Sequence, residues 1–371
     1  MPNTDPPLPS HQERIDARLA CTRWLSMGSR PHVMGDALRE LAEAAPDDPE
    51  IERYGKGDYT RAFEEEVAAL LGKEAAVFMP SGTMAQPIAL RLWCDERKLS
   101  RVGFHPTCHL ELHEHGAYGE LHGLVATHLG GPRRLMTLDD LRSAAEPLAA
   151  LLIELPQREI GGQLPSWDDL VALTTHAREH GIRLHLDGAR LWECTPHYGR
   201  SLSDIAGLFD SVYVSFYKTL GAIAGAALAG PVDFIEQARI WQRRQGGNLV
   251  YIYPYVVSAR RGIERRLPEV PGYVARAQEI AEILDGIDGI RVHPSPPPTN
   301  HMFVFLHGDK DALERAAYEV AKQHSAWLFG QLRPTGVPAT WLVELAIGPS
   351  ASAFERDELH ALFTQVMDRA R

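Results

Sequence analysis

Residues 64–93 read EEEVAALLGKEAAVFMPSGTMAQPIALRLW, and this stretch decides the fold class. The run EEEVAALLG carries apolar residues at helical spacing and stops at Gly72, a helix end. AAVFMP follows at once, a short apolar run bounded by Pro80 and Ser81, which predicts a buried strand. SGTMAQPIALRLW then predicts a turn feeding a second helix. Outward from here the pattern repeats. Apolar runs recur as RVGF at 101–104, LHGLVATHL near 121–129, AALLIEL at 149–155, IRLHLD at 182–187, SVYVSF at 211–216 and AIAGAALAG at 222–230. Helical patterns such as LDDLRSAAEPL and SWDDLVALTTHAREHG separate most of them. Helices alternating with fully apolar strands predict an α/β fold, a mostly parallel sheet covered on both faces. Such sheets place ligands at the carboxyl ends of their strands.

After about residue 258 the texture changes to a long helix (ARAQEIAEILDG), a strand (IRVHP), a Pro-rich turn (SPPPTN), a strand (MFVFL), a helix (DALERAAYEVAKQ), strands near 326–329 and 341–347, and a last helix. This predicts a smaller α+β domain. The expected organisation is an N-terminal arm and helix over 1–50, loose and Pro-rich to about residue 12, a large domain over 51–257, and a small C-terminal domain over 258–371.

Composition narrows the function classes. A chain of 371 residues with 44% hydrophobic side chains can fill two or three cores. Lys and Arg number 38 against 49 Asp and Glu, and the net charge of -11 disfavours nucleic acid and anionic membrane surfaces. No run of about 18 apolar residues occurs. The N-terminus lacks the basic start and apolar stretch of a signal peptide. Cys21, Cys94, Cys108 and Cys194 lie far apart without CxxC spacing, as expected of reduced thiols, so a cytoplasmic protein is expected.

Three places carry chemistry, each at a predicted strand end. Ser81-Gly82-Thr83 offers two hydroxyls and the free N–H groups of a helix start, an anion site or an ordinary helix cap. In HLDGAR at 185–190, Asp187 ends an apolar strand and is costly to bury without a cation; Arg190 can pair with it or with a substrate carboxylate. In VSFYKTLGAIAGAA at 214–227, Lys218 precedes a segment of small residues that implies close packing against something bulky. Burial there lowers a lysine pKa and favours the neutral amine. Anion site, carboxylate and lysine, in that order, meet the needs of pyridoxal 5'-phosphate: phosphate held at a helix N-terminus, ring nitrogen kept protonated, aldehyde held by lysine.

From about Tyr54 to the C-terminus the sequence resembles the threonine aldolase branch of the β-eliminating lyases, fold-type I pyridoxal-phosphate enzymes with an aspartate-aminotransferase-like large domain and a seven-stranded sheet. The resemblance is carried by GKEAAVFMPSGTMAQ, by CHLELHEHGA, by HLDGARLWE, by the lysine segment with Gly246-Gly247 downstream, and by Thr299-Asn300 before a strand. It implies that Ser81, Gly82 and Thr83 bind the cofactor phosphate, His109 stacks on the pyridine ring, and Asp187 bonds the ring nitrogen. Arg190 then reaches the substrate carboxylate and the cofactor, and Lys218 holds the aldehyde. The implied reaction cleaves a β-hydroxy-α-amino acid to glycine and an aldehyde, in a homodimer or homotetramer.

The sequence also departs from the family. No histidine follows Glu154 in ELPQREIGG, where one usually contacts the substrate hydroxyl. Trp341 in ATWLVEL stands where a second carboxylate-binding Arg is expected, and QGGNLVYIY does not match the basic flanks of the usual glycine segment. These leave β-elimination or other Cα chemistry open. From other classes, His105, His109, His113, His115, His122 and His128 suggest a metal-dependent hydrolase, although HLELH lacks the glutamate directly after the first histidine that such sites use. A non-enzymatic protein on the same fold is the other contrast, and the joint presence of Asp187 and Lys218 argues against it. Tyr54, Tyr251, Tyr253 and Tyr255 are expected to pack in a core or interface before lining a site.

Overall fold

The computed structural model describes residues 8–47 and 51–371. They form two compact units, one of residues 34–270 and one that joins residues up to 33 to residues 271–371. These divisions fall at 33/34 and 270/271, beside expected boundaries at 50/51 and 257/258. Of the expected loose arm, residues 1–7 lie outside the described residues, as do residues 48–50 at the expected boundary. From Ser10 onward the chain is ordered by a capping box: Ser10 accepts from the Glu13 N–H, and the Glu13 side chain accepts from Ser10. The helix His11–Ala20 docks through Arg14 on Glu314 at 2.7 Å, and Arg23–Trp24 pairs in parallel with Ala326–Trp327. Partners some 300 residues downstream leave no local signature.

In the larger unit the strands are β1 (Ala75–Met79), β2 (Arg101–Phe104), β3 (Val125–His128), β4 (Ala150–Glu154), β5 (Arg183–Gly188), β6 (Ser211–Ser215) and β7 (Ala226–Gly230). They form one sheet in the order β1-β7-β6-β5-β4-β2-β3. All pairs are parallel except those of β7, which runs antiparallel to both β1 and β6. The mostly parallel seven-stranded sheet is thus as expected. Of the run near 121–129, residues 121–122 instead end the helix Ala117–His122, closed by Gly123 at φ 64, and only residues 125–128 are strand.

The helix Gly82–Arg97 packs Ala85, Ile88, Ala89 and Trp93 against Val77, Met79, Val102, Leu152 and Tyr213. Each large apolar side chain buried here contributes about 2 kcal/mol. The small residues after Lys218 do abut something bulky: a Cβ at Gly225, φ 107, would lie 2.2 Å from the Phe78 ring. Phe78 in turn stacks on Phe216 at 5.8 Å.

The other unit holds an antiparallel sheet of β8 (Ile290–His293), β9 (His301–His307), β10 (Arg333–Pro334) and β11 (Thr340–Ala346), in the order β10-β11-β9-β8. Leu284, Met302, Val304, Val343, Leu345 and Phe363 fill its core. Trp341 on β11 is partly buried there, its indole N–H donating to the Gly308 carbonyl at 3.2 Å. Among the described residues no helix is long and apolar enough to cross a membrane.

Strand β1 is a sheet edge, and side chains cover its open backbone groups. Glu64 accepts from the Phe78 N–H at 2.7 Å, Gln242 donates to the Phe78 carbonyl at 2.7 Å, and Arg239 donates to the Ala76 carbonyl while paired with Glu64. Glu64→Ala strands a buried N–H and half an ion pair. It is expected to cost about 3 kcal/mol in denaturant unfolding, and a loss below about 0.5 kcal/mol would show the edge to be held by packing alone.

Candidate active site

Three chain segments converge at the carboxyl end of the parallel strands. After β1, Ser81 caps the helix Gly82–Arg97, its hydroxyl accepting from the Met84 N–H at 3.3 Å. The first N–H groups, at Gly82 and Thr83, have no intrahelical acceptor and sit at the positive end of the helix dipole. Gly82 is flush against β6: a Cβ there would fall 2.1 Å from the Tyr213 hydroxyl. Only glycine lets this helix start lie so close to the sheet.

Asp187 ends β5 with 1% exposure, in register with Glu154 on β4 and Tyr213 on β6. Its oxygens accept from the Gln86 amide at 2.9 Å and from the Ala189 N–H at 3.0 Å. The Asp187–Arg190 ion pair that would have made this a structural salt bridge is not formed among the described residues, and Arg190 remains partly exposed. Gln86 is four residues into the same helix, whose N-terminus is the candidate anion cradle. One rigid element therefore fixes both ends of the site.

Lys218 follows β6 and is likewise without a carboxylate partner among the described residues. Burial, reinforced by the Arg190 guanidinium, lowers its pKa to about 8, although Asp187 and Glu154 pull the other way. Glu154, buried and facing Asp187, is pushed up to about 8, with the Arg158 N–H, Lys218 and Arg190 opposing the rise. Beside Lys218, Thr219 donates to the fully buried Glu193, whose carboxyl burial pushes up to about 7.

His109 begins the short helix His109–His113, and its Nδ1 meets Glu114 Oε1 at 2.9 Å. The Glu114 side chain is wholly buried and its pKa raised by burial, so it holds the ring in one orientation. Four other histidines of the stretch have separate partners: His113 with Glu159, His128 with Glu111, His105 with the carbonyls of Gly131 and Arg134, and His122 with Gln245. Among the described residues no three His, Cys, Asp or Glu side chains gather to hold a metal.

Glu154 and its neighbours show what stands where a histidine was expected. Gln157, 3% exposed, donates to Glu154 Oε2 at 3.2 Å and toward the Thr107 carbonyl at 3.4 Å, while the Arg158 N–H donates to Glu154 Oε1 at 3.2 Å. Tyr54 and Tyr251, expected to be packed, are half exposed in the single chain, at 49% and 50%. Sequence reasoning missed Gln86, Glu114, Gln157 and Tyr213 as parts of the site. Gln86, one helical turn past Gly82, was accessible to helical spacing; the others depend on contacts between elements.

The donor set fits a phosphorylated cationic heterocycle. An N-terminal cradle flush with the sheet, a buried carboxylate answered only by neutral amides, and a lysine without a counter-ion leave room for one phosphate, one ring cation and one carbonyl. The fold, a mostly parallel seven-stranded sheet with polar side chains gathered at its strand ends, is that of an α/β enzyme. The sequence matches the β-eliminating lyase family over residues 32–309, and the chain belongs to that family. Low-specificity L-threonine aldolase 1 of Arabidopsis thaliana is 31% identical over 279 residues, covering 72% of this chain and 77% of the relative. A crystal structure from Listeria monocytogenes, provisionally named an L-allo-threonine aldolase, superposes with a TM-score of 0.92 at 38% identity, covering 96% of this chain and 99% of that one. The threonine aldolase of Leishmania major shares the fold, with a TM-score of 0.70 at 21% identity over 91% of this chain and 96% of that one.

Two outcomes follow from this geometry. Capture of pyridoxal phosphate by the cofactor-free protein is expected to quicken as pH rises through about 8, where Lys218 loses its proton, and to level off above it. A rise that continues to the ordinary lysine range near 10.5 would contradict the buried amine. Gly82→Ala is expected to weaken cofactor binding by about tenfold or more, because the Tyr213 clash displaces the cradle; equilibrium dialysis measures it.

Proposed function

We propose that the protein is a pyridoxal-5'-phosphate-dependent aldehyde-lyase that cleaves a β-hydroxy-α-amino acid between Cα and Cβ, giving glycine and an aldehyde. The observation that carries this reading is the convergence of Lys218, Asp187 and the Ser81-Gly82-Thr83 cradle at one sheet end, with the lysine and the carboxylate unpaired with each other. The names of the Arabidopsis and Listeria relatives support the same reaction class.

In this reading Ser81, Gly82 and Thr83 hold the phosphate, Asp187 faces the ring nitrogen, His109 lies against the ring and Lys218 holds the aldehyde carbon. The bound cofactor supplies an electron sink for a bond broken at Cα. The chain's own residues decide which bond that is. Arg190 takes the substrate carboxylate and so orients the groups on Cα. Glu154, with its pKa near 8, is matched to accept the proton of the β-hydroxyl. Lys218, neutral above about pH 8 once displaced, can move a proton at Cα.

Gln157 favours a second reading, β-elimination. A neutral amide in the place of a histidine takes no proton from a hydroxyl, and its Nε2 is already committed to Glu154. If Glu154 does not serve, loss of the Cα proton to Lys218 becomes the easier route. We also read the chain as a cytoplasmic homo-oligomer. The four buried free cysteines fit a reducing compartment, and the helix Met34–Ala44, with Met34 and Leu38 well exposed, offers an apolar face for a second copy.

Purified protein with pyridoxal phosphate is expected to release aldehyde from L-threonine, L-allo-threonine or phenylserine, and Lys218→Ala to lose at least about a thousandfold in rate. Pyruvate and ammonia from serine or cysteine-type substrates, with no aldehyde, would move the assignment to β-elimination.

A further inference from the structure

Behind Asp187 lies a polar line that the reaction above does not use. His185 and Asp187 are two residues apart on β5 and therefore share a face of the sheet. That face meets the helix Gly82–Arg97, which sends two side chains to it, Gln86 to Asp187 and Trp93, two turns on, to Ser211. Ser211 opens β6 opposite His185, and all three of His185, Ser211 and Trp93 are buried, the first two with 0% exposure.

The direction of each hydrogen bond follows from donor counting. The Trp93 indole N–H can only donate, and it does so to Ser211 Oγ at 2.8 Å. Among the described residues the remaining partner of Ser211 Oγ is His185 Nδ1, also at 2.8 Å. The serine hydrogen therefore goes to Nδ1, which must be unprotonated, and the imidazole carries its hydrogen on Nε2. The opposite tautomer would leave both the serine hydrogen and the Nε2 lone pair buried and unmet, against a single unmet N–H in this one. Burial favours the neutral ring as well, lowering its pKa to about 4 even though Asp187 and the Ser211 backbone carbonyl pull upward. His185 Nε2 and Gln86 Oε1 have no hydrogen-bond partner among the described residues.

A core-filling histidine needs none of this. An imidazolium beside Asp187 would neutralise the carboxylate from within and compete with the ring cation in front of it. A neutral ring leaves the charge undivided. We propose that His185 is a positioning residue for Asp187: held neutral in the Nε2–H form by Ser211 and Trp93, it sets a fixed N–H dipole beside the carboxylate and keeps the Gln86–Asp187 pair aligned on the cofactor's ring nitrogen. The cofactor half of this inference rests on the reading under Proposed function; the tautomer half does not.

The test reads both halves. In protein labelled with nitrogen-15 histidine, the His185 signals, assigned by their loss in His185→Gln, are expected to show a hydrogen on Nε2 and none on Nδ1 across about pH 5 to 8. An imidazolium or an Nδ1–H form in that range would overturn the inference. Ser211→Ala removes the lock and is expected to populate the Nδ1–H form while the fold, followed by circular dichroism, stays intact. An unchanged tautomer there would also count against it.

For the cofactor half, His185→Leu is expected to weaken pyridoxal phosphate binding by about tenfold and to shift the absorbance band of the bound cofactor. His185→Gln, which keeps an N–H donor, is expected to stay within about threefold of the unaltered protein. Unchanged affinity and an unchanged band in His185→Leu would reduce His185 to a packing residue. Should His185→Leu fail to fold, Trp93→Phe, which removes the first donor, is expected to give the same band shift, and no shift would overturn the inference. An unaltered protein that binds no pyridoxal phosphate overturns the cofactor reading itself, a result told apart because the tautomer is read on the protein alone.

Discussion

The hydrogen bond from Gln86 to Asp187 ties the large unit's two functional ends together. Asp187 is buried at a strand end, where an uncompensated carboxylate costs several kcal/mol. Two neutral donors meet it, and Glu154 and Glu193 stand buried in the same neighbourhood. Burial, with the Asp187 charge beside it, pushes the Glu154 carboxyl up, and Asp187 and Glu154 together oppose the fall of the Lys218 amine. Such a site is completed by a cation. Because the donor sits on the helix whose first turn is the proposed anion cradle, a displacement of that helix would change both ends together.

Local charge also resolves what the overall charge leaves awkward. A chain with a net charge of -11 repels an anionic amino acid at long range. In the proposed function attraction comes from within the site, from Arg190, for which no carboxylate partner is found among the described residues, and from Lys218. Asp187 and Arg190 are not paired with each other among the described residues, which is what the proposed roles, guanidinium toward the substrate and carboxylate toward the ring, require.

Much of the large unit was legible in the sequence because buried parallel strands read as bare apolar runs. AAVFM, RVGF, ALLIE, RLHLD and SVYVS all fall on strands, and Ser81, Asp187 and Lys218 follow from their positions at strand ends. The run LHGLVATHL misled because apolar content does not separate helix from strand over nine residues, and Gly123 is what divides it. Residues 8–33 misled for another reason: their partners lie across the whole chain, and polar composition hid a strand pairing at Arg23–Trp24. Among the candidate site residues, those whose placement comes from their own segment were readable. Gln157 and Glu114 act through side-chain contacts with Glu154 and His109, and Tyr213 matters because Gly82 leaves it room; none of these has a spacing signal.

Borohydride reduction of the cofactor-loaded protein, followed by peptide mapping, fixes the cofactor permanently to the lysine that holds it. The account predicts a pyridoxyl label on the peptide carrying Lys218 and on no other lysine. A label on another lysine, or no label on protein that has bound pyridoxal phosphate, would contradict it.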